Sequence, residues 1–209
     1  MTARTRFSLA IFIVLIVAGA AFFWFKHSYI GPIPKYLQGM GGDFTLQSAD
    51  GPVSLKDFRG KVVLLYFGYT NCPDICPTTL SNWADAFNQL SKDEASHVRG
   101  LFVSVDPKRD TPKKLKEYTA YFDPKIIGVT GTHEELLKVA SSFHSTFSIE
   151  DGGKGDNYTV EHMSFVYVID PQGKVRDMLS HESTPEAIVK SIRNALKVKE
   201  ISNGAGSHV

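Results

Sequence analysis

The chain has 209 residues, of which 43% are hydrophobic and 22% are charged, and its formal net charge is +1 at pH 7. This length favours one buried domain with an appendage over two independent cores, and the composition excludes the disordered and fibrous classes. The near-neutral charge excludes nucleic acid as an expected partner, because the densest basic cluster, at Lys113, Lys114 and Lys116, lies on a predicted solvated helix face.

The amino-terminal segment predicts one transmembrane helix. Residues 7–25 carry no charged side chain, and a helix of that length is about 28 Å long, enough to cross the hydrocarbon layer of a bilayer. Arg4 and Arg6 precede it, so the positive-inside rule places residues 1–6 in the cytoplasm and the following domain on the other side. An Arg- and Ser-rich transit segment is not seen, which favours the inner membrane of a bacterium, with a periplasmic domain, over the mitochondrial inner membrane.

A cleaved signal peptide is the alternative interpretation of this segment. The small residues at 18–20 have the small-x-small pattern that a signal peptidase accepts. However, the apolar run continues past them, and Trp24 with Lys26 is typical of an interfacial anchor. We therefore expect an uncleaved anchor at 7–25, followed by a Gly- and Pro-rich linker over 26–42.

The first elements of the domain are predicted from short apolar patterns. Residues 43–55 alternate around an Asp-Gly turn signal, which predicts a hairpin. Residues 61–67 form an apolar run typical of a strand buried on both faces. A helix from about 73 to 90 has apolar residues at three- and four-residue spacing, and 101–105 predicts a second buried strand.

The middle of the chain continues this alternation of helices and strands. Helices are predicted at 112–122, with proline in the first turn, and at 132–143, with a capping-box pattern at its start. A short strand at 126–129 lies between them. The charged, Gly-rich insertion at 151–157 lacks the spacing of a calcium loop and predicts an exposed loop.

The last elements change the pattern and define the fold class. Strands at 163–169 and 174–179 are joined by a short turn, so they should pair antiparallel. A final helix covers 184–198, and 199–209 is expected to be a flexible tail. The thioredoxin fold has this order, in which parallel strands with helices are followed by an antiparallel hairpin and a final helix. We therefore expect an α/β, thioredoxin-like domain over 43–198, with extra amino-terminal strands and a middle insertion.

Cys72 and Cys76 are the only two cysteines of the chain, and they closely follow the first buried strand. A strand-to-helix turn places Cys72 beside a helix amino terminus, whose partial positive charge favours a thiolate. Residues four apart share a helix face, so both sulfurs can point at one spot. A structural disulfide is the plainer alternative, but it would close too small a loop to add much stability. We predict a functional pair, for metal binding or for redox cycling.

A third ligand would decide between metal binding and redox chemistry, and His162 is the candidate. It begins the strand at 163–169, which should run antiparallel to the strand at 61–67, so its start lies at the sheet edge beside Cys72. His181, at the end of the second hairpin strand, is the next candidate. Topology alone leaves a ligand and a structural histidine equally open at His162.

Two thiolates and one imidazole form a ligand set that suits copper, as Cu(I) or Cu(II), and also zinc. A closed structural zinc site would need a fourth ligand, so an open three-ligand set favours metal transfer. Asp74, between the cysteines, and Asp106, after the second parallel strand, could orient ligands or partners. Each is more simply explained as a helix-start or turn carboxylate.

Several motifs along the chain match one known family. They are Gly-Lys-Val-Val-Leu at 60–64, Phe-Gly-Tyr-Thr at 67–70, Cys-Pro-Asp at 72–74, Cys-Pro at 76–77, Ser-Val-Asp-Pro at 104–107, Arg-Asp-Thr-Pro at 109–112, Thr-Gly at 130–131, and His162. On these residues the chain resembles the Sco/SenC family of copper-binding proteins of cytochrome oxidase assembly, over about residues 41–197. The resemblance implies that copper is bound by Cys72, Cys76 and His162.

The resemblance also implies a function. It indicates a metallochaperone rather than an enzyme, which delivers copper to, or reduces cysteines in, the binuclear copper site of an oxidase subunit. The implied partners are that subunit, other copper carriers or thiol reductants, and the membrane that holds the amino-terminal helix.

The main alternative is a thiol-disulfide oxidoreductase or peroxidase with Cys72 as nucleophile and Cys76 as resolving thiol. Oxidoreductases of this fold usually have two residues between the cysteines, and here there are three, with no proline immediately before the strand at 163–169. A peroxidase would have threonine three residues before its nucleophile, whereas Thr70 is two residues before Cys72. A purely structural interaction domain would not need both cysteines at a sheet edge.

Overall fold

The computed structural model describes residues 16, 17, 19, 33–150 and 158–204. The chain divides into two compact units, Met1–Pro32 and Ile33–Val209. In the first unit the described residues are helical, and most of the transmembrane segment predicted at 7–25 lies outside the described residues. Within the part of the chain that is described, no helix has both the length and the apolar character to span a membrane.

The second unit contains strands and helices in alternation. The strands are β1 (Thr45–Ser48), β2 (Gly51–Ser54), β3 (Val62–Gly68), β4 (Val98–Ser104), β5 (Ile126–Val129), β6 (Phe147–Glu150), β7 (Thr159–His162), β8 (Phe165–Ile169) and β9 (Val175–Ser180). The α-helices are α1 (Ile75–Asn88), α2 (Lys92–Ser96), α3 (Pro112–Phe122), α4 (His133–Ser142) and α5 (Pro185–Gly204). Short 3₁₀ helices cover Lys35–Leu37 and Leu55–Phe58.

A mixed five-stranded sheet with the order β5-β4-β3-β8-β9 lies at the centre of this unit. β3, β4 and β5 are parallel, whereas β8 runs antiparallel to β3 and β9 antiparallel to β8. This is the predicted order of a parallel unit followed by an antiparallel hairpin. β1 and β2 form the predicted amino-terminal hairpin, which joins the carboxyl edge of the sheet through a bridge from Gln47 to Thr130.

Strand β3 explains why the sheet has a core on each face. All seven of its residues are buried, and successive side chains point to opposite faces. Leu65 and Phe67 pack with Phe143, which follows α4, while Leu64 packs with Trp83 of α1 and residues of α5. Burying each such large apolar side chain contributes about 1.5–3 kcal/mol. The strand is therefore a rigid base for whatever follows it at residue 69.

The capping residues place two helix starts where the sequence predicts them. Thr111 accepts a hydrogen bond from the backbone N–H of Lys114, with Pro112 in the first turn of α3. Thr132 and Glu135 form a reciprocal capping box at the start of α4. Each cap satisfies backbone N–H groups that have no partner within the helix.

The strand that carries His162 differs from the predicted one, and that prediction is wrong. A separate two-stranded sheet, β6 paired antiparallel with β7, was not predicted, and His162 ends β7 instead of beginning the strand at 163–169. Strand β8 begins only at Phe165. The reason is that β6 and β7 are each four residues long, and the 151–157 insertion, which lies outside the described residues, separates them in sequence.

The limits of the domain also differ from the prediction. The compact unit begins at Ile33, within the predicted linker over 26–42. Leu37 is only 2% exposed, and the N–H of Gly41 donates to the carbonyl oxygen of Ser142 at 2.7 Å. At the other end α5 continues to Gly204, beyond the predicted end near residue 198.

Candidate metal centre

Two elements bring the cysteine sulfurs together. Cys72 lies in the turn after β3, where its N–H donates to the carbonyl oxygen of Tyr69 at 3.3 Å. Cys76 lies in the first turn of α1 and is fully buried against the end of β3. The backbone N–H of Cys76 points at the Sγ of Cys72 at 3.5 Å. The helix start thus presents its positive end to the Cys72 sulfur, as the spacing predicts.

His162 reaches the same point from the end of β7. Its Nε2 lies 3.7 Å from the Sγ of Cys76, and its Nδ1 lies 3.4 Å from the carbonyl oxygen of Met163. Because a carbonyl oxygen only accepts hydrogen bonds, this contact favours a proton on Nδ1 and leaves the Nε2 lone pair facing the sulfurs. The rings of Tyr66 and Tyr69 meet the imidazole edge-to-face at 5.8 Å and 5.9 Å between centroids, which restricts its orientation.

The ligand atoms of Cys72, Cys76 and His162 all lie within 4.8 Å of one another, and they are the one such group in the described residues. An ion about 2.2 Å from each of three ligands would hold neighbouring ligands roughly 3.8 Å apart. The three atoms therefore need only small movements to bind one ion. That these residues are metal ligands is still a prediction.

The two thiols differ strongly in acidity. The pKa of Cys72 is lowered to about 3, first by a hydrogen bond from the Cys76 thiol and then by the backbone N–H groups of Cys76 and Asp74, although burial opposes the shift. The pKa of Cys76 is raised far above its usual range by the same hydrogen bond, by burial and by the Cys72 charge. Cys72 is therefore the thiolate of the pair at neutral pH, while Cys76 retains its proton until something positive displaces it.

The site opens into a cleft of about 720 Å³ between the cysteine turn and the β6–β7 pair. Phe147 and Val160 form its apolar wall, and Asp74 and Glu161 are exposed on its rim. Met163 is partly exposed and also lines this cleft. One side of the site is thus accessible to a partner, while Cys76 is sealed on the other.

The other predicted residues do not join the three ligand atoms. His181 lies outside the group and approaches Glu182, with 4.0 Å between Nε2 and Oε1. Asp74 is exposed at the N-cap position of α1, but its carboxylate makes no cap hydrogen bond to the helix backbone and instead accepts from the Thr78 hydroxyl at 3.4 Å. Asp106 is fully buried and accepts from Arg109 and Tyr158.

Several residues that surround the site were not predicted from the sequence. Tyr66 packs below it, with its hydroxyl 3.9 Å from the Sγ of Cys76, and burial raises its pKa so that it stays neutral. Asp110 and Tyr158 bind the segments that carry the ligands. For Asp110 the only signal in the sequence is its place in the Arg-Asp-Thr-Pro motif, and this motif does not indicate which residue Asp110 contacts.

Fold and site together define a class of protein, a thioredoxin-like domain with an open Cys-Cys-His group at the carboxyl edge of its sheet. Residues 34–197 match the family model of SCO1/SenC. A SCO2-like protein of Rickettsia conorii is 38% identical over 157 residues, which cover 74% of this chain and 76% of that protein. The chain belongs to the SCO1/SenC family.

Two solved structures support this assignment. Bradyrhizobium japonicum ScoI with copper bound has a TM-score of 0.68 at 35% identity, covering 75% of this chain and 99% of that chain. The second structure is that of BsSco, a member of the Sco family of cytochrome c oxidase assembly proteins, in which a disulfide switch was identified. Its TM-score is 0.61 at 34% identity, and the match covers 78% of this chain and 96% of that one.

Proposed function

We propose that this chain is a membrane-anchored copper-binding metallochaperone that assists assembly of the binuclear copper site of cytochrome c oxidase. The observation that carries the proposal is the group of ligand atoms from Cys72, Cys76 and His162 within 4.8 Å. Copper bound to the ScoI relative supports the choice of metal, and the likeness to BsSco, a member of a family of cytochrome c oxidase assembly proteins, supports the assembly role. Copper is the cargo of this site, as Cu(I) or Cu(II).

The acidity of the two thiols supports binding of a copper ion. The Cys72 thiolate is available for the first bond without losing a proton. Cys76 has to lose its proton to become the second ligand, and the positive charge of the ion favours that loss. The Nε2 lone pair of His162 provides the third bond. Binding therefore releases about one proton from the Cys72–Cys76 pair.

The open cleft supports transfer rather than storage. A ligand from a recipient can approach the ion from the cleft side, bond to it and then displace the ligands of the chain one at a time. The copper-site subunit of the oxidase is the proposed recipient, and other copper carriers are proposed donors. Because Cys76 is buried on the opposite side, the accessible Cys72 and His162 are the ligands that a partner meets first.

The membrane anchor belongs to this proposal. The apolar segment at 7–25 and the preceding Arg4 and Arg6 support a single span in the inner membrane of a bacterium, with 1–6 in the cytoplasm and the domain in the periplasm. In cells that express the full chain, alkaline carbonate should leave it in the membrane fraction. Protease added to spheroplasts should degrade the domain, and extraction by carbonate would contradict the anchor.

Thiol reduction is a second candidate function, favoured by the two free and unequally acidic thiols. The Cys72 thiolate would attack one sulfur of a substrate disulfide, and the other sulfur would leave as a thiolate. Cys76, after giving up its proton, would then attack the Cys72 sulfur and release the second substrate thiol. The substrate gains two electrons and the chain is left with a Cys72–Cys76 disulfide, which a thiol reductant must reduce.

Copper titration of the full chain in detergent tests the proposal. The reduced protein is titrated anaerobically with Cu(I) against a coloured chelator, beside the variants Cys72→Ala, Cys76→Ala and His162→Ala. His181→Ala is the matched control, because it removes a histidine outside the site.

We expect one copper ion per wild-type chain, the same in His181→Ala, and loss of tight binding in each ligand variant. An equally tight ion in all three ligand variants would contradict the copper site. If the wild-type chain binds no copper but reduces a model disulfide, thiol reduction replaces copper delivery as the function.

A further inference from the structure

One short segment after β4 joins the two halves of the metal centre. The N–H groups of Arg109 and Asp110 both donate to the carbonyl oxygen of Asp106, at 3.2 Å and 3.0 Å, which folds the segment into one tight turn. Asp106 and Asp110 are both fully buried. Buried carboxylates are costly unless they are hydrogen-bonded or paired, so their partners indicate what the turn is built to hold.

Asp110 holds the turn that carries Cys72. Its Oδ2 accepts from the backbone N–H of Thr70 at 2.8 Å, and its Oδ1 accepts from the Thr70 hydroxyl at 2.5 Å. The Ser104 hydroxyl also donates to Oδ2, at 2.7 Å, and Nζ of Lys114 donates to Oδ1 at 3.1 Å. Thr70 is two residues before Cys72, so the carboxylate fixes the backbone from which the sulfur projects.

Asp106 holds the strand that carries His162, and it does so through Tyr158. The Tyr158 hydroxyl donates to Oδ1 of Asp106 at 2.5 Å, while Arg109 donates to Oδ2 at 2.5 Å. Arg109 also donates to the carbonyl oxygen of Tyr158 at 2.8 Å and stacks on its ring, with 3.6 Å from the guanidinium carbon to the centroid. Tyr158 directly precedes β7, and His162 is the last residue of that strand.

We propose that Asp110 and Tyr158 are positioning residues that act on different ligands, Asp110 on the Cys72 thiolate and Tyr158 on the His162 imidazole. The turn at 106–110 thereby sets the distance between the sulfurs and the imidazole before a metal arrives. The inference rests on the proposed function in one respect, because the positioned ligands are those of copper. The positioning itself is a property of the metal-free chain.

Conservative variants with matched controls separate positioning from loss of stability. Asp110→Asn removes the charge and one acceptor, and its control is Asp170→Asn. Asp170 is equally buried and pairs with Arg176 at 2.6 Å, but it lies in the β8–β9 turn away from the cysteines. Tyr158→Phe removes only the hydroxyl, and its control is Tyr167→Phe in the core.

Hydrogen exchange of the metal-free full chain is the first measurement. In Asp110→Asn we expect exchange of the Thr70 N–H to be faster by about 10-fold or more than in Asp170→Asn, since a charged acceptor is lost. Exchange within β7 should be unchanged. In Tyr158→Phe the pattern should reverse, with faster exchange in β7 and no change at Thr70.

Cu(I) affinity, measured by chelator competition, is the second measurement. Residues that orient metal ligands typically change affinity 10–100-fold, so we expect that loss in Asp110→Asn and Tyr158→Phe and little change in the two controls. The loss in Tyr158→Phe should disappear when His162 is replaced by alanine, because its target is gone. The loss in Asp110→Asn should persist in that background.

Two results would overturn the inference. One is that the Thr70 N–H exchanges at the same rate in Asp110→Asn as in Asp170→Asn, and β7 at the same rate in Tyr158→Phe as in Tyr167→Phe. The other is an equal loss for Tyr158→Phe with and without His162. If the wild-type chain binds no copper while the exchange pattern is as expected, the proposed function fails and the positioning of Cys72 and His162 stands.

Discussion

Replacing Gly68 by alanine should disturb the metal centre from below. Gly68 is the last residue of β3, and an added Cβ would lie 2.8 Å from the Sγ of Cys76 and 2.8 Å from Cε2 of Phe102. Both neighbours are fully buried, and β3 is held beside β4 by their parallel pairing. Overpacking of this kind costs about 1–3 kcal/mol. The easiest relief is a shift of the Cys76 sulfur, which moves a predicted ligand.

Gly100→Ala is the matched control for this variant. Gly100 lies in β4, where a Cβ would meet Cζ3 of Trp83 at 2.9 Å and Cγ1 of Ile126 at 3.2 Å, away from the cysteines. Urea unfolding of the metal-free proteins should show a similar loss of about 1–3 kcal/mol in both variants. Only Gly68→Ala should also lose Cu(I) affinity, by about tenfold or more. Equal copper affinity in the two variants would refute the conclusion that a Cβ at position 68 displaces the Cys76 sulfur.

Three other predictions concern acidity, core packing and capping. Because the pKa of Cys72 is lowered to about 3, iodoacetamide should modify Cys72 at a nearly constant rate from about pH 8 down to about pH 5, while Cys76 is protected. The modification rate is measured by mass spectrometry over a pH series. A tenfold fall in this rate for each pH unit would show that Cys72 is an ordinary thiol and contradict the prediction. Leu80→Ala removes a fully buried side chain and should lower the free energy of unfolding by about 2–5 kcal/mol in urea; a loss below about 1 kcal/mol would contradict its place in the core. Thr132→Ala removes the α4 cap and should cost about 1 kcal/mol in the same assay without changing copper affinity.

The strands and helices of the main sheet could be predicted because their patterns are local. The unbroken apolar run of β3 and the capping box at Thr132 and Glu135 are each contained in a few consecutive residues. The β6–β7 pair was missed because its stability comes from contacts across the insertion, such as the pairing of Phe147 with His162. The residues on either side of that insertion are too few to show a period.

Of the candidate site, only the three residues whose side chains meet at one point could be predicted. The spacing of Cys72 and Cys76 and the expected sheet edge were enough to indicate a shared point. His162 lies beside the two sulfurs, as expected, although the strand that carries it was predicted wrongly. The contacts of Asp110 with Thr70 span 40 residues in sequence, and those of Tyr158 with Asp106 span 52. No periodicity or spacing rule connects residues so far apart, so these contacts needed the tertiary structure.

The coordination shell of the bound copper tests the central claim most directly. X-ray absorption of the full chain loaded anaerobically with one Cu(I) should show two sulfur ligands at about 2.2–2.3 Å and one nitrogen ligand at about 2.0 Å. The nitrogen should be lost in His162→Ala and kept in His181→Ala. A shell with fewer than two sulfurs, or a nitrogen that persists without His162, would contradict a copper site built from Cys72, Cys76 and His162.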